Sequence, residues 1–147
     1  MGEAGQGLTF PTRDNIVRLN REHIHRTGGN RDGAGRFLNE NSLEWVLEAI
    51  QHPLFGQDLY PAISQKAAIL AWTIINGHVF LDGNKRTGMS AMMIFLRLNG
   101  FLLVASDEEI IEVAIRVATA RESNYSQEAF MSWVSKHMEL LLPPPIP

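Results

Sequence analysis

Two segments, SQKAAILAWTIING and KRTGMSAMMIFLRLNG, are apolar nearly all round at helical spacing, and each ends in an Asn-Gly pair, a common helix stop. A helix without a polar face must be surrounded by protein or by lipid. The longest apolar runs, around Ala67–Ile75 and Ala91–Leu96, are too short to span a bilayer and are bounded by Gly, Asn and charges. Both segments are therefore expected to be buried helices, and the rest of the chain must cover them.

Caps and apolar spacing mark the covering elements. Pro11-Thr12, an acid and the positions Ile16, Val17, Leu19 and Ile24 predict a first helix closed by Gly28-Gly29, after which NRDGAGRFLNE reads as loop. Asn41 with Glu44 offers a cap for a helix through Leu43, Val46, Leu47 and Ile50 that Pro53 stops. PLFGQDLYP, with a proline at each end and a central glycine, is expected to be a loop or short extended flap. Phe101–Val104 suggests a brief extended stretch. Ser106 with Glu109 then opens a helix through Ile110, Ile111, Ala114 and Val117, and Ser126 caps a last one bearing Phe130, Trp133, Val134 and Met138. Trp45, Trp72 and Trp133 fall on apolar faces and read as core. The tail, 143–147, is polyproline-like.

With 147 residues, 45% of them hydrophobic, and no repeat or multi-strand pattern, the expectation is one all-α domain over 1–147. It should have about six helices and a short extended flap. The chain has no cysteine, which removes disulfides, thiolate metal sites and thiol nucleophiles. A net charge of −3 with 13 scattered Lys and Arg disfavours direct nucleic-acid binding. MGEAGQGLTF lacks the pattern of a signal peptide, and Gln6 sits where a myristoylation motif needs Ser or Thr. A cytoplasmic protein without a membrane partner is expected.

Between the two apolar segments lies HVFLDGNKRT, residues 78–87. A loop entering a buried helix presents that helix's free N–H groups and positive dipole end, which suits phosphate. Gly83 permits close backbone approach, and Asn84, Lys85 and Arg86 stand at the first turn. Cations there oppose the dipole, so they make physical sense chiefly with a bound anion such as a polyphosphate. Asp82 is placed for the Mg²⁺ that accompanies nucleotide phosphates, and His78 is the residue type most used to take a proton from an incoming hydroxyl. Phe80 is expected to point inward as an anchor. Singly, each has a structural reading as turn chemistry or solvated charge; together, beside a core, they favour a site.

HVFLDGNKRT resembles the signature loop of the Fic/Doc family: His, any, Phe, any, Asp or Glu, Gly or Ala, Asn, Gly or Lys, Arg. The likeness continues through LYPAISQKAAILAWTIINGHVF and MIFLRLNGF, covering roughly 28–101. Lys85 and Met89 stand where the adenylylating branch has a second glycine and a second arginine, so the chain looks like the Doc, or death-on-curing, toxin branch. That resemblance implies an enzyme that uses ATP and Mg²⁺ to phosphorylate a Ser/Thr hydroxyl of a protein target, known for the family as elongation factor Tu. It makes His78 the base, Asp82 the metal-associated acid, and Gly83, Asn84, Lys85 and Arg86 the phosphate site, with Arg86 also catalytic. Phe55, Gly56, Gln57, Asp58, Leu59 and Tyr60 would form the flap that aligns the target.

Gly83 itself is the residue of the Fic pattern rather than the alanine of the best-known Doc loop. A Fic-type adenylyltransferase and a catalytically silent antitoxin-binding module therefore remain alternatives. Fic proteins are often blocked by a helix with Ser or Thr, three residues, Glu, then Gly or Asn; Ser135–Glu139 matches except that Leu140 follows. The match reads as chance, and an antitoxin in trans is the expected partner. His23, His25, His52 and His137 receive no role.

Overall fold

The computed structural model describes residues 7–141, so the polyproline-like tail lies outside the described residues. Seven helices are described: α1 Arg13–Thr27, α2 Glu40–Gln51, α3 Ile63–Asn76, α4 Asn84–Leu98, α5 Asp107–Ala118, α6 Ala120–Ser123 and α7 Gln127–His137. Short strands β1 Phe101–Leu103 and β2 Met138–Leu140 pair antiparallel, with Leu102 opposite Glu139. The all-α expectation holds.

The two apolar segments are α3 and α4, packed on each other at the centre. Small residues at the crossing let their backbones approach: a Cβ on Gly88 would come within 2.5 Å of Ile75 Cγ1 and 3.1 Å of the Ala71 carbonyl. Ile69, Leu70, Ile74 and Ile75 of α3 and Met92, Phe95 and Leu96 of α4 are buried. Each such side chain contributes about 1.5–3 kcal/mol of transfer free energy. Helix α1 covers α4, while α2 and α7 cover α3, and α5 leans on both. Apart from Ile24 and Ala49, the buried apolar side chains among the described residues join one cluster.

Predicted caps hold at three helix starts. Thr12 and Ser106 form full capping boxes with Asn15 and Glu109, and Ser126 accepts from the Ala129 N–H. The expected Asn41 cap does not form, because α2 begins at Glu40, two residues before the start that an Asn41 cap would set. Asn39 takes the cap position but sends its amide elsewhere, to the Gly77 and His78 carbonyls at 2.9 and 3.0 Å. Met138 is not helical: the last helix stops at His137 and the chain turns into β2. The Ser135–Glu139 segment is thus half helix and half strand and is no inhibitory helix. Trp45 is 47% exposed rather than core.

The flap is a tight hairpin in which Leu54 and Gln57 exchange backbone hydrogen bonds of 2.8 and 2.9 Å. Phe55 and Gly56 take φ of 50° and 76°, the two left-handed positions of a type I′ turn. The Phe55 side chain is fully exposed at the tip.

Candidate functional site

HVFLDGNKRT spans the end of α3 and the first turn of α4, and its backbone is pinned from both sides. Gly77 stays right-handed at φ −78°, and the left-handed residue that ends α3 is His78, at φ 48°. The chain then runs beside the segment before α2. Leu38 and Asn39 donate N–H to the Val79 carbonyl at 2.8 and 3.0 Å, and the Leu81 N–H donates to the Arg36 carbonyl at 3.1 Å. Phe80 is completely buried, as expected, and stacks on Phe37 with ring centroids 5.1 Å apart. Asn84 Oδ1 accepts the Phe80 N–H and its Nδ2 donates to the Phe80 carbonyl, at 2.8 and 2.9 Å. The Asn84 amide is thus committed to the loop, and the backbone N–H is what this residue can offer an anion.

Asp82 sits at the turn. Its Oδ1 accepts the Gly83 N–H at 2.8 Å and its Oδ2 accepts the Asn30 N–H at 2.9 Å. Each carboxylate oxygen keeps lone-pair capacity beyond that one bond, which suits a cation. Gly83 is left-handed at φ 77°, and a Cβ there would lie 3.2 Å from Asn20 Nδ2, so only glycine is unstrained. Lys85 and Arg86 follow, both exposed, with no acid in the first turn and no ion-pair partner among the described residues.

A cavity of about 360 Å³ opens against this turn. Asp82, Gly83, Asn84, Lys85 and Arg86 line one side, and Met89 with Ile110, Ile111, Ala114 and Ile115 of α5 lines the other. The structure thus brings together every predicted phosphate-site residue. His78 and the flap do not line this cavity; the His78 ring is exposed and has no hydrogen-bond partner among the described residues. Asp82 is the one carboxylate in the lining, and no cluster of three His, Asp or Glu that could hold a metal occurs among the described residues. A cation beside Asp82 would have to complete its shell with ligand oxygens and water, the habit of Mg²⁺ on phosphates.

The apolar α5 wall was not anticipated, although Ile111 and Ile115 add apolar positions beyond the one face needed for burial; they are 60% and 48% exposed. Two flap residues are tied to the body of the fold through their side chains. Asp58 is no free docking group, since both its oxygens lie within 3.2 Å of the Nζ of Lys66, which is 1% exposed. Tyr60 packs against the core, where burial raises its phenol pKa. Phe55, Gly56, Gln57 and Leu59 stay exposed. His23 on α1 faces α4, its Nε2 2.9 Å from Ser90 Oγ. Burial first, then the charges of Arg26 and Arg86, hold its pKa below the ordinary value against an opposing pull from Glu22.

The sequence model of the Fic/DOC family matches residues 10–96. The chain belongs to the Fic/DOC family. This Fic/DOC protein is 42% identical over 55 residues to Toxin Doc of Mycolicibacterium smegmatis (strain ATCC 700084 / mc(2)155), an alignment covering 37% of the chain and 42% of that relative. It is 26% identical over 110 residues to Protein kinase doc of Escherichia phage P1, covering 75% of the chain and 82% of the relative. The family match contains all of α1 through the start of the site and most of α4, whereas the α5 wall lies beyond it.

Proposed function

We propose that the chain is a Doc-type toxin that transfers the γ-phosphoryl group of Mg-ATP to a Ser or Thr hydroxyl of a protein. The observation that carries this reading is the cavity with Lys85 and Arg86, which have no ion-pair partner among the described residues, at the start of α4 on one side and an apolar α5 wall on the other. Such a site matches a ligand with a polyanionic end and a flat apolar end, as a nucleotide has. The names Toxin Doc and Protein kinase doc among its relatives support the biological role and the direction of the chemistry.

In this mechanism Lys85, Arg86 and the first-turn N–H groups bind the phosphates and lower the cost of charge that shifts toward the leaving oxygen. Asp82 would hold Mg²⁺, which supplies further neutralisation of phosphate charge. His78 takes the proton of the target hydroxyl as that oxygen bonds to the γ-phosphorus and the bond to the ADP oxygen breaks. The exposed flap tip, with Phe55 and Gly56, lies open to align an extended target segment by backbone pairing. Elongation factor Tu is the proposed target, with arrest of translation in the cytoplasm as the result, and a separate antitoxin is the proposed partner that restrains it. Among the described residues no helix is long and apolar enough to cross a membrane.

Adenylyl transfer is the second reading, favoured by Gly83 in place of alanine; Lys85 and the buried Met89, where a second arginine would be needed, oppose it. Incubation with Mg²⁺ and bacterial lysate, in parallel with γ-labelled and α-labelled ATP and with His78→Ala as control, decides between them. Label from the γ position alone on a discrete band is expected. Label from the α position would replace phosphorylation by nucleotidyl transfer, and none from either would leave the silent, antitoxin-binding reading.

A further inference from the structure

Asn20 lies on α1, far outside the HVFLDGNKRT motif, and none of its surface is exposed. Asparagine is a poor helix former, and a buried amide must find partners for two donors and an acceptor. None of those partners is on α1. Nδ2 donates to the Asp82 carbonyl at 2.8 Å and to Thr87 Oγ1 at 3.1 Å, while Oδ1 accepts the Gly35 N–H at 2.8 Å. A Cβ added to Gly83, the left-handed residue that caps α4, would lie 3.2 Å from the same Nδ2.

We propose that Asn20 is a positioning residue for the anion site, fixing through Asp82 and Thr87 where the Asp82–Gly83 turn and the first turn of α4 stand. Thr87 is buried in that turn, and its N–H bonds the Gly83 carbonyl at 2.9 Å, so the amide grips the turn at both ends. From below, Asn20 thereby aims the N–H groups of Asn84, Lys85 and Arg86 and the carboxylate of Asp82. Through Gly35 it also ties in the loop whose Asn30 N–H bonds Asp82 Oδ2. An apolar residue would fill the same volume and leave all three groups unpaired.

The inference rests on the nucleotide reading only for its affinity readout, and a second readout needs no ligand. Asn20→Ala and Thr87→Val are compared with Val134→Ala, a cavity variant in α7, using amide hydrogen exchange at matched melting temperature and Mg-ATP binding by calorimetry. Exchange at Gly83, Thr87 and Asn30 is expected to quicken about tenfold in the first two variants and not in Val134→Ala. Mg-ATP binding should weaken about tenfold in Asn20→Ala, and much less when Arg86→Ala is already present, because the two act on one site. Unchanged exchange at those amides, or equal acceleration throughout α7, would overturn the role, as would full additivity with Arg86→Ala. A wild-type chain that binds no Mg-ATP would sink the nucleotide reading, leaving the exchange comparison to decide Asn20 by itself.

Discussion

Asn84 returns both arms of its amide to one residue, Phe80, accepting its N–H at 2.8 Å and donating to its carbonyl at 2.9 Å. The loop between them carries Leu81, Asp82 and Gly83, so a side chain at the start of α4 closes the turn on which the carboxylate sits. Replacing it by alanine leaves the Phe80 backbone groups unpaired beside a fully buried ring. Asn84→Ala is therefore expected to cost about 1–3 kcal/mol in urea unfolding and to lower the transfer rate with it. Stability equal to wild type would show that water replaces the amide and that the turn does not depend on it.

His78 stands apart from that framework. Its φ of 48° is held by neighbours, through the Asn39 amide on its own carbonyl and that of Gly77, while its ring makes no hydrogen bond among the described residues. His78→Ala should therefore leave the melting temperature within a few degrees and nucleotide affinity intact, yet reduce transfer by roughly 10²–10⁴-fold as the base is lost. Calorimetry and single-turnover labelling on the same sample separate the two effects; undiminished labelling would remove His78 from the chemistry.

The central helix pair, three helix caps and the run of motif residues that lines the cavity were legible because each is local. Apolar period, Ser or Thr before a first turn, and a contiguous motif all lie within one stretch of chain. What escaped is long-range polar pairing. Nothing near Asn20 or Asn39 in sequence says that their amides reach Asp82, Thr87, Gly77 and His78, and the same holds for Lys66, which reads as the polar start of an apolar helix. Met138 was misplaced for a related reason: its strand partner, Leu103, is distant in sequence, and pairing overrides local helical spacing.

The Lys66–Asp58 pair gives the flap its base. Lys66 Nζ lies 3.1 and 3.2 Å from the two Asp58 oxygens, and Asp58 Oδ1 also accepts the Tyr60 N–H at 3.1 Å. Removing one partner strands the other charge out of water, which costs about 3–5 kcal/mol in buried pairs. Lys66→Met is expected at the low end, about 3 kcal/mol, because the Asp58 side chain retains 13% exposure. Asp58→Asn on top of it should recover much of the loss, since the amide still accepts from Tyr60. Urea midpoints of the two single variants and the double variant test this; a double variant no better than the worse single one would mean that the pair is not what holds the flap.

His23 makes stability depend on pH in a stated direction. Burial between α1 and α4, helped by Arg26 on its own helix and Arg86 across from it and opposed by Glu22, depresses its folded-state pKa below the ordinary value of about 6.5. As pH falls through that value the unfolded chain takes up a proton that the folded chain resists. The contribution is thus complete above about pH 6.5 and is lost on further acidification toward the folded pKa. His23→Gln keeps a hydrogen-bonding group for Ser90 but cannot titrate. Between pH 7.5 and 5.5 the urea midpoint of wild type should therefore fall further than that of the variant, while parallel decline would show that His23 takes up its proton equally well in both states.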